Sequence, residues 1–106
     1  MSALLDNIPP HTLATIKNYL IHGYEPGGFV TSMLAMDMEV ALARADAVNR
    51  QRMWYIGKYI TEDLPEGSWG SYNAVIEWCE NVDDRRTRWA TWAALNNTEK
   101  EVDLDF

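Results

Sequence analysis

Apolar residues recur along this chain at a spacing near 3.6, and no strand-like alternation longer than four residues runs through the body of the sequence. Pro9 and Pro10 suit a first helical turn, where a missing N–H is no loss. Leu13, Ile16 and Leu20 follow on one face, and Gly23 supplies a C-terminal cap, so the pattern predicts a helix over residues 11–22. Glu25-Pro26-Gly27-Gly28 is a turn signal that reverses the chain. Phe29, Met33, Leu34, Met38, Ala41, Leu42 and Ala45 then keep the helical period over residues 29–45, as one central helix or as a pair broken at Asp37. Asp46 offers a similar choice. A further helix reaches residue 63, with Met53, Ile56, Ile60 and Leu64 inside and Arg50, Arg52, Lys58 and Glu62 outside, and Pro65 ends it.

Residues 66–70 read as a loop, after which Ser71 is an N-cap for a short helix carrying Val75, Trp78 and Cys79 on one side. A last helix over residues 84–96 stacks Trp89, Trp92, Ala93 and Leu95. The expected architecture is all-α, a compact orthogonal bundle of five or six short helices. Residues 1–97 form its single domain and residues 98–106 an acidic tail with apolar Val102, Leu104 and Phe106 at alternate positions.

Length and composition agree with one core, since 106 residues are too few for two and a hydrophobic fraction of 47% with five Trp gives enough apolar surface to bury. The single Cys79 excludes an intrachain disulfide. With no apolar run of 18 residues, this leads to the expectation of a protein of a reducing cytosol, without membrane association. A formal charge of −7 disfavours direct nucleic-acid binding and favours partners with a basic surface.

Candidate chemistry is sparse. Asp37, Glu39, Asp46, Glu62 and Asp63 lie near helical segments, but a magnesium-dependent hydrolase needs acids paired at i, i+3 or i+4 on facing helices. Glu62 and Glu66 have that spacing, but Pro65 lies between them. His11 and His22 sit at opposite ends of one predicted helix, roughly 16 Å apart at about 1.5 Å per residue. They read as surface and helix-end residues. Cys79 has no His or base within a turn and reads as a buried, inert thiol. No catalytic residue, metal site or cofactor is expected.

Two groups of residues remain. In Arg44, Asp46 and Asn49 the structural reading is a helix junction, with Asp46 as N-cap, Arg44 paired to it and Asn49 bonded to neighbouring backbone. The functional alternative is a small polar ligand pocket beside Trp54 or Trp69. The second group is Trp89, Trp92, Val102, Leu104 and Phe106, apolar anchors among acids that suit a basic partner with an apolar groove. Several of the five Trp and five Tyr are expected at the surface as interface anchors, whereas Arg85, Arg86 and Arg88 read as surface charge. The tail is loosely similar to the acidic tails of single-stranded DNA-binding proteins and to clamp-binding peptides. It lacks the Ile-Pro-Phe ending of the first and the leading Gln of the second. A solvated terminus is its plainest reading.

The IPPHT run at residues 8–12, then Glu25-Pro26-Gly27-Gly28-Phe29, Arg44-Ala45-Asp46 with Asn49, and Trp69-Gly70-Ser71 together resemble a group of small accessory proteins of tailed bacteriophages. The resemblance spans about residues 8–78 and brings no activity with it. It implies the cytoplasm of an infected bacterium as the setting. There the expected role is non-enzymatic protein binding, inhibiting a host or defence protein in the manner of an anti-CRISPR protein. The alternatives are a structural or homodimeric phage component, and a small ligand-binding module or metal-dependent hydrolase.

Overall fold

The computed structural model describes residues 2–81 together with 83, 86, 87 and 90. Among these, seven α-helices and no strand are found: α1 (Ser2–Asp6), α2 (Pro10–His22), α3 (Gly28–Leu34), α4 (Met38–Arg44), α5 (Ala47–Gln51), α6 (Met53–Asp63) and α7 (Tyr72–Glu80). Residues 83, 86, 87 and 90 are helical as well. The all-α expectation holds, and the helices outnumber the expected five or six for two reasons. The five residues of α1 are too few to display a period, and Arg52 separates α5 from α6 where one continuous helix was expected.

Local chemistry places most of the boundaries. Pro10 opens α2, and Gly23 closes it in the left-handed conformation at φ 70°, its N–H donating to Tyr19 O. Gly27, at φ 87°, completes the turn that launches α3. The end of α3 is a Schellman turn, in which Asp37 N–H donates to Ser32 O at 2.9 Å and Met36 N–H to Met33 O at 3.1 Å. Met36 occupies its left-handed position at φ 64°, where glycine is usual. Asp37 then caps α4 by accepting from Val40 N, Asp46 caps α5 by accepting from Asn49 N, and Ser71 caps α7 by accepting from Ala74 N.

Helix α3 is central, touching α2, α4, α6 and α7, while α1 and α5 both pack on α6. Ile16, Tyr19, Leu20, Met33, Leu34, Ile56, Ile60, Val75 and Trp78 form the heart of the core. Ser32 Oγ donates to Gly28 O and Phe29 O, and Trp78 Nε1 lies 3.2 Å from Tyr19 O and 3.3 Å from Leu20 O, serving carbonyls near the end of α2. The break at Asp37 re-aims the following turn, so Met38 and Leu42 are exposed although their spacing suggested a buried face.

The loop between α6 and α7 is tied down on two sides. Ser68 is fully buried, its Oγ bonds to Pro65 O, and its carbonyl accepts from Tyr19 Oη at 2.7 Å. Gly70 N–H donates to Leu34 O at 2.8 Å, anchoring the loop to the end of α3. These two bonds fix where α7 starts.

Candidate functional site

With α7 started there, an open groove of about 470 Å³ lies along its outer side, walled by the turn at Glu25–Gly28 and by α4. Its apolar lining is Val40, Val75 and Ile76, the last half exposed at 50%, with Cys79 alongside. Cys79 is therefore a half-buried groove residue and not the fully buried thiol expected, because α7 turns only Val75 and Trp78 fully into the core.

Asp37 fixes one end of the groove by two bonds. Its Oδ1 accepts from Val40 N at 3.3 Å, capping α4, and its Oδ2 accepts from Tyr72 Oη at 2.7 Å, joining α4 to the first residue of α7. Donating to a carboxylate holds the phenol in its protonated form. The Tyr72 hydroxyl is accordingly raised above its ordinary 10.0, first by this hydrogen bond, then by partial desolvation and the Asp37 charge, with Arg44 opposing.

Arg44 lies at the last residue of α4 and reaches the turn, where its guanidinium passes over Gly28. A methyl group in place of the glycine hydrogen would sit 2.7 Å from an Arg44 Nη and 3.0 Å from its Cδ. Gly28 thus makes room for the arginine. Among the described residues Arg44 donates no hydrogen bond and forms no ion pair, and in particular it does not pair with Asp46 as expected. Ala45 is extended, which turns Asp46 toward the start of α5 while Arg44 stays on α4.

The other two members of the expected junction act together. Asp46 Oδ1 accepts from Asn49 N at 2.8 Å, and the Asn49 side-chain oxygen accepts from Thr12 Oγ1 at 2.5 Å. Asn49 was expected to bond neighbouring backbone; its carbonyl oxygen instead crosses to buried Thr12 of α2, 37 residues earlier in the chain. Thr12 was missed because a lone threonine on a helix carries no sign that it faces inward. A second, smaller cleft of about 250 Å³ opens here, lined among others by His11, Thr15, Asp46 and Asn49, and Arg44 borders both clefts. Neither Trp54 nor Trp69 lines it, so the polar pocket lies against the turn at residues 26–30 and not beside a tryptophan.

The remaining sequence candidates are dispersed. Among the described residues no three of His, Cys, Asp and Glu converge as a metal site, and no helix is long and apolar enough to cross a membrane. His22 stacks on Tyr24 at 5.0 Å between ring centroids. Trp54 is exposed at 65%, with Tyr55 edge-on at 5.1 Å and Lys58 Nζ 5.5 Å from its ring centroid. Trp89, Trp92, Val102, Leu104 and Phe106, the expected partner anchors, lie outside the described residues. No protein-family model, curated protein or solved structure matches the chain.

Proposed function

We propose that this protein is a non-enzymatic binding module that grips a partner protein in the groove between α4, α7 and the Pro26-Gly27-Gly28 turn. The observation that carries the reading is the groove itself, which leaves Ile76 half exposed above an apolar floor while hydrogen bonds at the start of α7 hold that wall against α3 and α4. A preformed apolar surface rimmed by polar groups is what protein recognition uses, since its ordering cost is met before the partner arrives. The resemblance to tailed-phage accessory proteins supplies the setting: an infected bacterial cytoplasm, with a host or defence protein as the target to be inhibited. The net charge of −7 favours a target with a basic surface. A second reading, self-association, draws on Trp54, whose 65% exposure offers an aromatic anchor on α6 away from the groove lining.

The test is a paired capture experiment. Tagged wild-type protein and Ile76→Arg are used as baits in infected cells at moderate salt, with circular dichroism and thermal melting as controls for folding. Capture of a specific partner by the wild type and its loss with a normally folded Ile76→Arg supports groove binding. Equal capture by both proteins refutes it.

A further inference from the structure

Resting on that binding reading, we infer that the groove takes a partner segment in which one Asp or Glu stands beside a bulky apolar residue, with Lys or Arg flanking the pair. Among the described residues three charges line the groove, and none of these is in an ion pair. Of these three Arg44 is the cation, and Glu25 and Glu80 are exposed carboxylates. A guanidinium presents five N–H donors in a planar fork that matches a carboxylate. Here the fork lies over Gly28, and among the described residues no carboxylate stands within ion-pair distance of it. Val40, Val75 and Ile76 beside it receive the apolar neighbour. The two glutamates favour bases on the flanks of the incoming segment and repel a run of acids.

That charge pattern also selects among occupants. The chain's own residues 98–106 carry Glu99, Glu101, Asp103 and Asp105 against the single base Lys100, so they offer Glu25 and Glu80 mostly like charge. A second copy of the chain brings a further net −7. A segment with one acid between bases meets Arg44, Glu25 and Glu80 together, and its net positive charge speeds encounter with an acidic protein.

The probe is the peptide acetyl-Lys-Leu-Asp-Phe-Lys-amide, titrated into isotope-labelled full-length protein and followed by amide chemical shifts. Shifts should concentrate at Gly27, Gly28 and Ile76. Replacing the peptide Asp by Asn, or the protein's Arg44 by Gln, should each weaken binding about 10-fold, the worth of a partly exposed charge-assisted pair. Both changes together should cost little more than either alone. Additive losses, or binding indifferent to the peptide Asp, overturn the inference.

Two further measurements address the other occupants. Peptide binding that tightens about 10-fold or more in a full-length variant with Leu104→Ser and Phe106→Ser shows the chain's own end filling the groove, and also overturns the inference. So does a dimer in sedimentation that dissociates with Ile76→Arg. Failure of the parent reading is distinguishable: if capture from infected cells survives Ile76→Arg, groove binding itself is wrong. If capture is lost while peptide binding ignores charge, only the segment chemistry is wrong.

Discussion

Tyr19→Phe isolates the bond that holds the loop between α6 and α7 against α2. The ring stays in the same fully buried place, and only the hydroxyl that donates to Ser68 O at 2.7 Å is removed. Ser68 is itself fully buried, so water cannot replace the lost donor without opening the loop. A buried carbonyl left without its partner costs about 1–3 kcal/mol. Against a native stability of about 5–15 kcal/mol this is a large fraction. At about 4–8 °C per kcal/mol for a domain of this size, a mid-range loss of about 2 kcal/mol lowers Tm by about 8–16 °C. Urea unfolding followed by circular dichroism should show the midpoint falling by about 1 M at unchanged slope, taking a slope of about 2 kcal/mol/M. Amide exchange at Gly70 gives a second readout. Its bond to Leu34 O is the loop's other tether, so a loop loosened at Ser68 should exchange faster there. A change in stability below about 0.5 kcal/mol, with Gly70 exchange unaltered, would mean that the tyrosine hydroxyl does not hold the loop, leaving Gly70 as its tether to the rest of the fold.

Four further outcomes follow from other contacts. Asp46→Ala removes the α5 cap and with it the positioning of Asn49 against Thr12, and should cost about 1–2 kcal/mol in denaturant unfolding, with Asp46→Asn close to wild type. Gly28→Ala should change stability by less than about 1 kcal/mol, because the clash falls on the end of a flexible side chain, yet it should displace Arg44 and weaken charge-dependent peptide binding in the same titration. Met36→Gly should stabilise the fold by about 0.5–1 kcal/mol in thermal melting, since the left-handed conformation costs an L-residue about 1–2 kcal/mol and part of that is offset by glycine's freedom in the unfolded chain. The Tyr72 hydroxyl is raised in the folded protein, so its bond to Asp37 contributes in full below pH 10.0 and is lost as pH rises through the higher folded value. Absorbance titration of wild type against Tyr72→Phe should reveal one tyrosine ionising above the ordinary range, and its absence would contradict the clasp.

Much of this fold is legible in the sequence because its punctuation is local. Pro10, Gly23, Asp37, Asp46 and Ser71 stand where their side chains or backbones end or start helices, and each does so through groups within a few residues. What the sequence conceals is either too short or too distant. Five residues of α1 cannot show a period, and Met36 gives no hint of a left-handed turn that glycine would have advertised. The polar cluster was visible as a group but not in its division of labour. Asp46 and Asn49 face α2 through Thr12, whereas Arg44 lies over Gly28, and both contacts depend on how distant segments meet. The groove could not be read at all, since its lining is drawn from the turn, α3, α4 and α7.

The helices that frame the groove are seven residues in α3 and α4 and nine in α7. Helices of that length do not persist alone in water, where about 12–15 residues are marginal even for favourable sequences. Each wall is therefore helical only while packed on the others, and local fraying of one wall is not a separate, stable state. Loss of packing at one wall therefore weakens the others. Any segment that seats in the groove consequently protects the whole domain, by RT ln(1 + [L]/Kd), and at 100 times its Kd adds about 2.7 kcal/mol to global stability. A rise in Tm on addition of candidate segments thus reports occupancy without a label, and protection from proteolysis in cell extract should rise and fall with the partner's abundance.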